Sequence, residues 1–125
     1  SMDALNQGNV DEMLKELDAQ ATEYFDGSTP PVKGRDSIIA GIKGYVSAFP
    51  DIKGTNFKIL AEGDHVMAYG EWTATFKNDF MGVKATGKTV RYSDVDMFRF
   101  NNEGKVVEHR SLFPVSQIMR MAGVQ

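Results

Sequence analysis

The chain has 125 residues, of which 42% are hydrophobic and 25% charged, with a formal net charge of -3. That length holds one core and not two, and mild acidity with no basic stripe excludes nucleic acid as a partner. With no cysteine and only two histidines, His65 and His109, which lie far apart, thiolate chemistry, disulfides and a dedicated transition-metal site are all disfavoured. No apolar run approaches membrane-spanning length and no signal peptide opens the chain, so a cytoplasmic protein is expected. Ser1-Met2 reads as a cloning remnant ahead of a native start.

Asn9 followed three residues later by Glu12 is a capping-box pattern, and Met13, Leu14, Leu17 and Ala21 then share a helical face, which predicts a helix from Val10 to about Ala21. Thr22 to Phe25 reads as a short strand, and Asp26-Gly27-Ser28-Thr29-Pro30-Pro31 as a loop. A second helix is expected from about Asp36, because Ile38, Ile39, Ile42, Tyr45, Val46 and Phe49 form a wide apolar stripe, and Pro50 helps to end it. Strands follow at Asn56 to Ala61 and, after a turn at Glu62-Gly63-Asp64, at His65 to Lys77. In the second of these, Val66, Ala68, Trp72, Ala74 and Phe76 share one face; His65, Met67, Tyr69, Glu71, Thr73 and Thr75 share the other. Asn78 to Lys88 reads as a long connection. Pro114 breaks the final strand, and Ser116 to Ala122 reads as a short helix stopped by Gly123. Helices first and antiparallel strands after them predict an α+β domain, with helices packed on one face of a curved sheet.

Val90 to Phe113 carries the chemistry. Alternation from Val90 to Phe100 puts Val90, Tyr92, Asp94, Asp96, Phe98 and Phe100 on one face. Pairing around Asn101-Asn102-Glu103-Gly104 would set Val107, His109, Ser111 and Phe113 beside them. Two carboxylates about 6.5 to 7 Å apart along a strand, next to an imidazole and a hydroxyl on a largely apolar surface, suit acid/base work, because burial and a second carboxylate both raise a carboxyl pKa. Asp96, His109 and Asp94 are therefore the candidate catalytic residues. Tyr24, Asp26, Tyr45, Tyr69, Glu71, Tyr92, Phe98, Ser111 and Phe113 are candidates for lining a substrate site. Solvation of the carboxylates at the rim, and a purely structural His109, are the competing readings.

Asp96-Met97-Phe98-Arg99-Phe100-Asn101, Gly104-Lys105-Val106-Val107 and Arg110-Ser111-Leu112-Phe113 resemble the end of ketosteroid isomerases. Pro30-Pro31-Val32-Lys33-Gly34-Arg35-Asp36-Ser37-Ile38 is similar to that family's loop into its long helix. Phe49-Pro50-Asp51-Ile52, Ala61-Glu62-Gly63-Asp64-His65-Val66 and Phe80-Met81-Gly82-Val83-Lys84-Ala85-Thr86-Gly87-Lys88 resemble SnoaL-like polyketide cyclases. Both families belong to the nuclear transport factor 2-like superfamily, and the resemblance runs over the single domain from Asn6. It implies a cystatin-like cone, a curved antiparallel sheet wrapped around helices. It also implies that Asp96 stands where the isomerases keep a protonated carboxyl that donates to a substrate oxyanion. Their general base matches Phe25, with Asp26 one residue later. Their oxyanion tyrosine would lie on a helix ahead of Asn6, so the first family helix is expected to be shortened or absent. The acidic residue of the cyclases matches Ser111, after Glu108-His109.

Two functions fit these residues. One is a cofactor-independent, metal-free isomerase or cyclase acting on a small hydrophobic carbonyl compound of steroid- or polyketide-like character; the other is a non-catalytic ligand-binding or dimerisation module of the same fold. A homodimer through the sheet is expected, because apolar side chains on both sheet faces leave one face uncovered.

Overall fold

The computed structural model describes residues 10–125. Its elements in chain order are α1 (Val10–Lys15), β1 (Leu17–Glu23), β2 (Val32–Lys33), α2 (Arg35–Ala48), β3 (Lys53–Glu62), β4 (His65–Thr75), β5 (Thr89–Phe100), β6 (Val106–Ser111) and α3 (Val115–Met121). The strands form one sheet in the order β2-β1-β6-β5-β4-β3. Every neighbouring pair is antiparallel except β1 and β6, which run parallel. The sheet is thus mixed rather than wholly antiparallel. The direction of β6 is dictated by its hairpin with β5, and β1 docks on its free edge after a long crossover, as a parallel pair requires.

The first helix is much shorter than the sequence pattern predicts. It ends at Lys15, and Leu17–Glu23 is a strand, so the strand expected from Thr22 begins earlier and stops before Tyr24. Leu17 and Ala21 fit a helical stripe, yet Ala21 and Glu23 also alternate onto one buried strand face. Pairing of Leu17 with Val106, Thr22 with Glu108 and Glu23 with His109 decides between them, a tertiary override of local propensity. The Asn9 half of the capping box lies outside the described residues.

The second helix meets the expectation closely. Gly34 precedes it with φ 95, a conformation that glycine adopts without strain. Its last turn carries the core: Ala48 and Phe49 pack with Ala74, Phe76, Val90, Ile118 and Ala122. Phe49 stacks on Phe76 at 5.1 Å, and Tyr45 stacks on Phe49 at 4.8 Å. This end of α2 and the short α3 therefore cover the same end of the same sheet face. α3 stops at Gly123, whose φ of 87 lets its own N–H and that of Val124 return to Arg120 and Met119 carbonyls.

A bulge on β3 shapes the middle of the sheet. Thr55 pairs with Glu71 and Lys58 with Tyr69, so Asn56 and Phe57 together oppose Gly70, and Asn56 takes φ 52. Phe57 meets Trp72 edge to face at 5.7 Å. A β-carbon at Gly70 would lie 2.7 Å from the Phe57 ring, and one at Gly54 would lie 2.5 Å from it. Glycine is required at both crossings because the ring lies directly on the backbone.

Candidate active site

The β5 and β6 hairpin assembles the polar cluster. Its turn is held by the Asn101 side-chain oxygen, which accepts from the N–H groups of Glu103 and Lys105, while Gly104 takes φ 78. Asp96 pairs with Ser111 and Phe98 with His109, as the alternation implies. Beyond them the ladder slips: Arg99 pairs with Glu108 but Phe100 with Val106. Val107 is the extra residue, and Val106, not Val107, takes the buried place. On the other side of β5, Ala68 faces Asp96 and Gly70 faces Asp94. Small residues opposite both acids leave the space above them to other groups.

His109 is clamped between two carboxylates. Its Nε2 lies 2.8 Å from Asp96 Oδ1, and its Nδ1 lies 2.7 Å and 2.8 Å from the two oxygens of Glu23. Phe98 covers the imidazole with ring centroids 4.8 Å apart. Burial by itself would lower the His109 pKa, but the hydrogen bonds to Asp96 and Glu23, reinforced by both negative charges, overcome it and raise the value to about 10. The ring is therefore an imidazolium at neutral pH. With a donor on each nitrogen, it makes both carboxylates acceptors.

Glu23 is the member that sequence reasoning missed. It is only 2% exposed, the one polar side chain counted among the buried core residues described. Its Oε2 also accepts from the Phe25 N–H at 2.9 Å. Phe25 reaches that position with φ 53, a left-handed conformation that costs a bulky residue about 1–2 kcal/mol. Its carbonyl accepts from the Ser111 N–H at 2.8 Å. A strained residue thus ties the Glu23 carboxylate and β6 together. The available signal was the pair Ala21 and Glu23 on one strand face, hidden by reading residues 17–21 as helix.

Asp94 has a different role from Asp96. Its Oδ1 accepts from the N–H groups of Val95, Leu112 and Phe113 at 2.8, 3.1 and 2.8 Å, and its Oδ2 accepts from the Ser111 hydroxyl. Burial raises its pKa, against the Ser111 hydrogen bond, and the Asp96 charge raises it further. Asp94 therefore anchors the end of β6 and does not touch the imidazole. Tyr92, on the same face, stacks on Phe113 at 5.0 Å. Burial and the nearby phenol and carboxylates push its pKa up, and burial likewise raises that of Tyr45. The Tyr45 hydroxyl is buried beside the Tyr92 phenol, with no partner at ordinary hydrogen-bonding distance among the described residues.

Four candidates are placed elsewhere. Tyr69 and Glu71 lie on the outer face, opposite to Asp96: the Tyr69 hydroxyl bonds Glu71 at 3.0 Å and lies 3.3 Å from the Ser93 hydroxyl, and Asn56 also bonds Glu71 at 3.0 Å. Alternation turns them away from Asp96, because Tyr69 pairs with Val95 and Glu71 with Ser93, although Tyr69 still lines a groove together with Asp94. Tyr24 lies under the Arg110 guanidinium at 3.7 Å, next to the Arg99–Glu108–Arg110 ion pairs. Asp26 spends both oxygens on structure, Oδ1 on Ser28 and Oδ2 on the Val115 N–H at 2.9 Å, which pins the loop to the start of α3. The Ser28 hydroxyl is the main reason that its pKa is lowered.

A shallow groove of about 170 Å³ lies beside the end of β6, lined by Tyr69, Ser93, Asp94, Val95, Leu112 and Phe113. Among the described residues no group of three histidine, cysteine or acidic side chains could hold a metal ion. No helix of the described residues is long and apolar enough to cross a membrane.

Comparison with known proteins places this arrangement. The family model for SnoaL-like polyketide cyclases matches residues 1–121. A protein from Jannaschia sp. CCS1 assigned to the SnoaL-like polyketide cyclases superposes with a TM-score of 0.81 at 23% identity, over 92% of this chain and 78% of that one. AclR from Streptomyces galilaeus, assigned as a hydroxylase, superposes at 0.73 with 30% identity, over 97% of this chain and 74% of that one. A protein from Catenulispora acidiphila with a ketosteroid isomerase-like fold superposes at 0.75 with 14% identity, over 98% of this chain and 88% of that one. No curated protein is significantly similar in sequence. The match over nearly the whole chain and the shared α+β architecture show that the chain belongs to the SnoaL-like polyketide cyclase family and has the nuclear transport factor 2-like fold.

Proposed function

We propose that the protein is a cofactor-independent acid/base enzyme that enolises a small, largely apolar carbonyl compound, leading to isomerisation or aldol-type cyclisation. The observation that carries this reading is the Glu23–His109–Asp96 chain. Asp96 Oδ1 is held by the imidazolium, whereas Oδ2 makes no hydrogen bond among the described residues. The Asp96 side chain keeps 15% of its exposure and that of His109 keeps 21%, so the pair is desolvated yet reachable. An acceptor-only Asp96 acts as the base that takes a proton from the carbon next to the carbonyl. This differs from the neutral oxyanion donor implied by resemblance to ketosteroid isomerases, because the imidazolium already donates to Asp96 and leaves its carboxylate an acceptor. His109 holds Asp96 in one orientation, and Glu23 holds His109.

Ser111, in the place of the acidic residue of the cyclases, favours a second reading, a ligand-binding module without turnover. Exchange of the α-protons of 2-tetralone into deuterated water, followed by proton NMR, separates the two. The parent exchanges and Asp96→Asn loses at least about a hundredfold in rate; binding without exchange by the parent supports the module instead.

We further propose a homodimer through the outer sheet face. Leu60, Met67 and Met97 lie across it in register, with Leu60 76% and Met67 49% exposed. A row of this kind is what a second copy would cover.

A further inference from the structure

The Glu23–His109–Asp96 chain accounts for a base and its support, but nothing in it donates to the oxygen on which negative charge develops. An enolate needs such a donor. On α2, which packs over that sheet face, there is a polar group that the described residues leave unused, the hydroxyl of Tyr45. It is buried, and among the described residues no partner lies at ordinary hydrogen-bonding distance, although the Tyr92 phenol is close enough to act on it; its ring is fixed by stacking on Phe49 and by an edge contact with Phe80 at 5.8 Å. A buried hydroxyl without a partner destabilises the fold, so phenylalanine would serve the packing better. The second phenol, Tyr92, is fixed by its stack on Phe113 and interacts electrostatically with Tyr45, Asp94 and Asp96. No carboxylate among the described residues accepts a hydrogen bond from either phenol: the oxygens of Asp94 are taken by Ser111 and backbone N–H groups, and Asp96 Oδ1 by His109. Even if one phenol donates to the other, one proton stays unspent.

We propose that Tyr45 and Tyr92 form the oxyanion end of the site, with Tyr92 donating to the substrate carbonyl oxygen and Tyr45 backing it, while Asp96 works at the adjacent carbon. This rests on the acid/base reading for its chemistry but not for its geometry. Four residues along a strand separate α-carbons by about 13 Å, and a tyrosine leaning along the strand covers about half of that. Asp94 stands between them on that face, but its oxygens are turned to the end of β6, which leaves the phenol and the Asp96 carboxylate to bracket one enolisable ketone group. In the step itself, the Asp96 carboxylate takes the α-proton, the C–H electron pair becomes the C=C bond of the enolate, and the carbonyl π pair moves to the oxygen, which the phenol hydrogen bond stabilises. Return of the proton from Asp96 to a different carbon gives the isomer. Attack of the enolate carbon on a second carbonyl, with the same proton going to the new alkoxide, gives the cyclised product. Both phenols stay neutral in this scheme, as burial and the neighbouring negative charges favour.

The test uses 2-tetralone carrying carbon-13 at the carbonyl, with infrared spectroscopy of the bound ketone. The parent should lower the carbonyl stretching frequency. Tyr92→Phe should lose most of that shift and bind about fivefold to tenfold more weakly, Tyr45→Phe should lose part of it, and Asp96→Asn should keep the shift and lose α-proton exchange. Without ligand, Tyr45→Phe should melt at or above the parent temperature, because it removes an unpaired buried hydroxyl. An unchanged shift in both phenylalanine variants, loss of the shift in Asp96→Asn, no saturable shift in the parent at millimolar ketone, or a Tyr45→Phe melting temperature several degrees lower would each overturn the proposal. A phenol-dependent shift in a parent that catalyses no exchange would uphold it and sink the acid/base reading.

Discussion

Replacing Glu23 by glutamine removes one of the two charges that hold His109, with little change of shape. In the parent, the rise of the His109 pKa from 6.5 to about 10 corresponds to roughly 5 kcal/mol of preference for the charged ring in the folded state, an upper bound for its share of stability. The sign follows from the direction. The folded pKa lies above the unfolded one, so this stabilisation is fully present below about pH 6.5, declines above it and is lost as pH rises through about 10. An opposite charge at hydrogen-bonding distance shifts a pKa by about 1–3, so in Glu23→Gln the His109 value should fall to between about 7 and 9. The stability decline with rising pH should then level off at correspondingly lower pH. Long-range nitrogen-15 NMR of the imidazole from pH 5 to 11 reads both ring nitrogens, and His65→Gln assigns the two histidines. His109 titrating near 6.5 in the parent, or at the same pH in Glu23→Gln as in the parent, would refute the clamped imidazolium.

Three further outcomes are expected. Asp96→Asn should fold, because the amide is nearly isosteric and can still accept from the ring, but should abolish ketone exchange; circular dichroism and the tetralone assay check the two halves. Gly70→Ala should destabilise by about 1–3 kcal/mol, because its β-carbon would meet the Phe57 ring at 2.7 and 2.9 Å and Trp72 at 3.2 Å; urea unfolding measures the loss, and an unchanged midpoint would mean that the ring moves freely. Light scattering at micromolar concentration should give a dimer mass for the parent and a monomer mass for Met67→Lys, with the tetralone binding site intact; a monomeric parent would refute the dimer.

Much of this protein is legible in its sequence because the governing pattern is local. Period-two alternation from Val90 to Phe100 places Tyr92, Asp94, Asp96 and Phe98 on one face, and the Asn101 to Gly104 turn brings His109 opposite Phe98. The stripe from Ile38 to Phe49 likewise specifies α2 and its buried end. The motifs at residues 49–52, 61–66 and 80–88 also lead to the family whose model matches residues 1–121.

What the tertiary structure decided was everything that depends on which strand lies next to which. Residues 17–23 suit helix or strand, and only the parallel edge of β6 makes them a strand and delivers Glu23 to His109. Both faces of β4 carry aromatic and polar residues, so alternation alone could not say that Ala68 and Gly70, rather than Tyr69 and Glu71, lie opposite the two acids; the register of β4 against β5 settles that. The slip at Phe100, which exchanges Val106 for Val107, and the partition of Asp94 from the His109 chain likewise depend on contacts far apart in sequence. Periodicity is a property of neighbouring residues, whereas hydrogen-bond partners across a sheet are set by topology and by the free energy of the whole core.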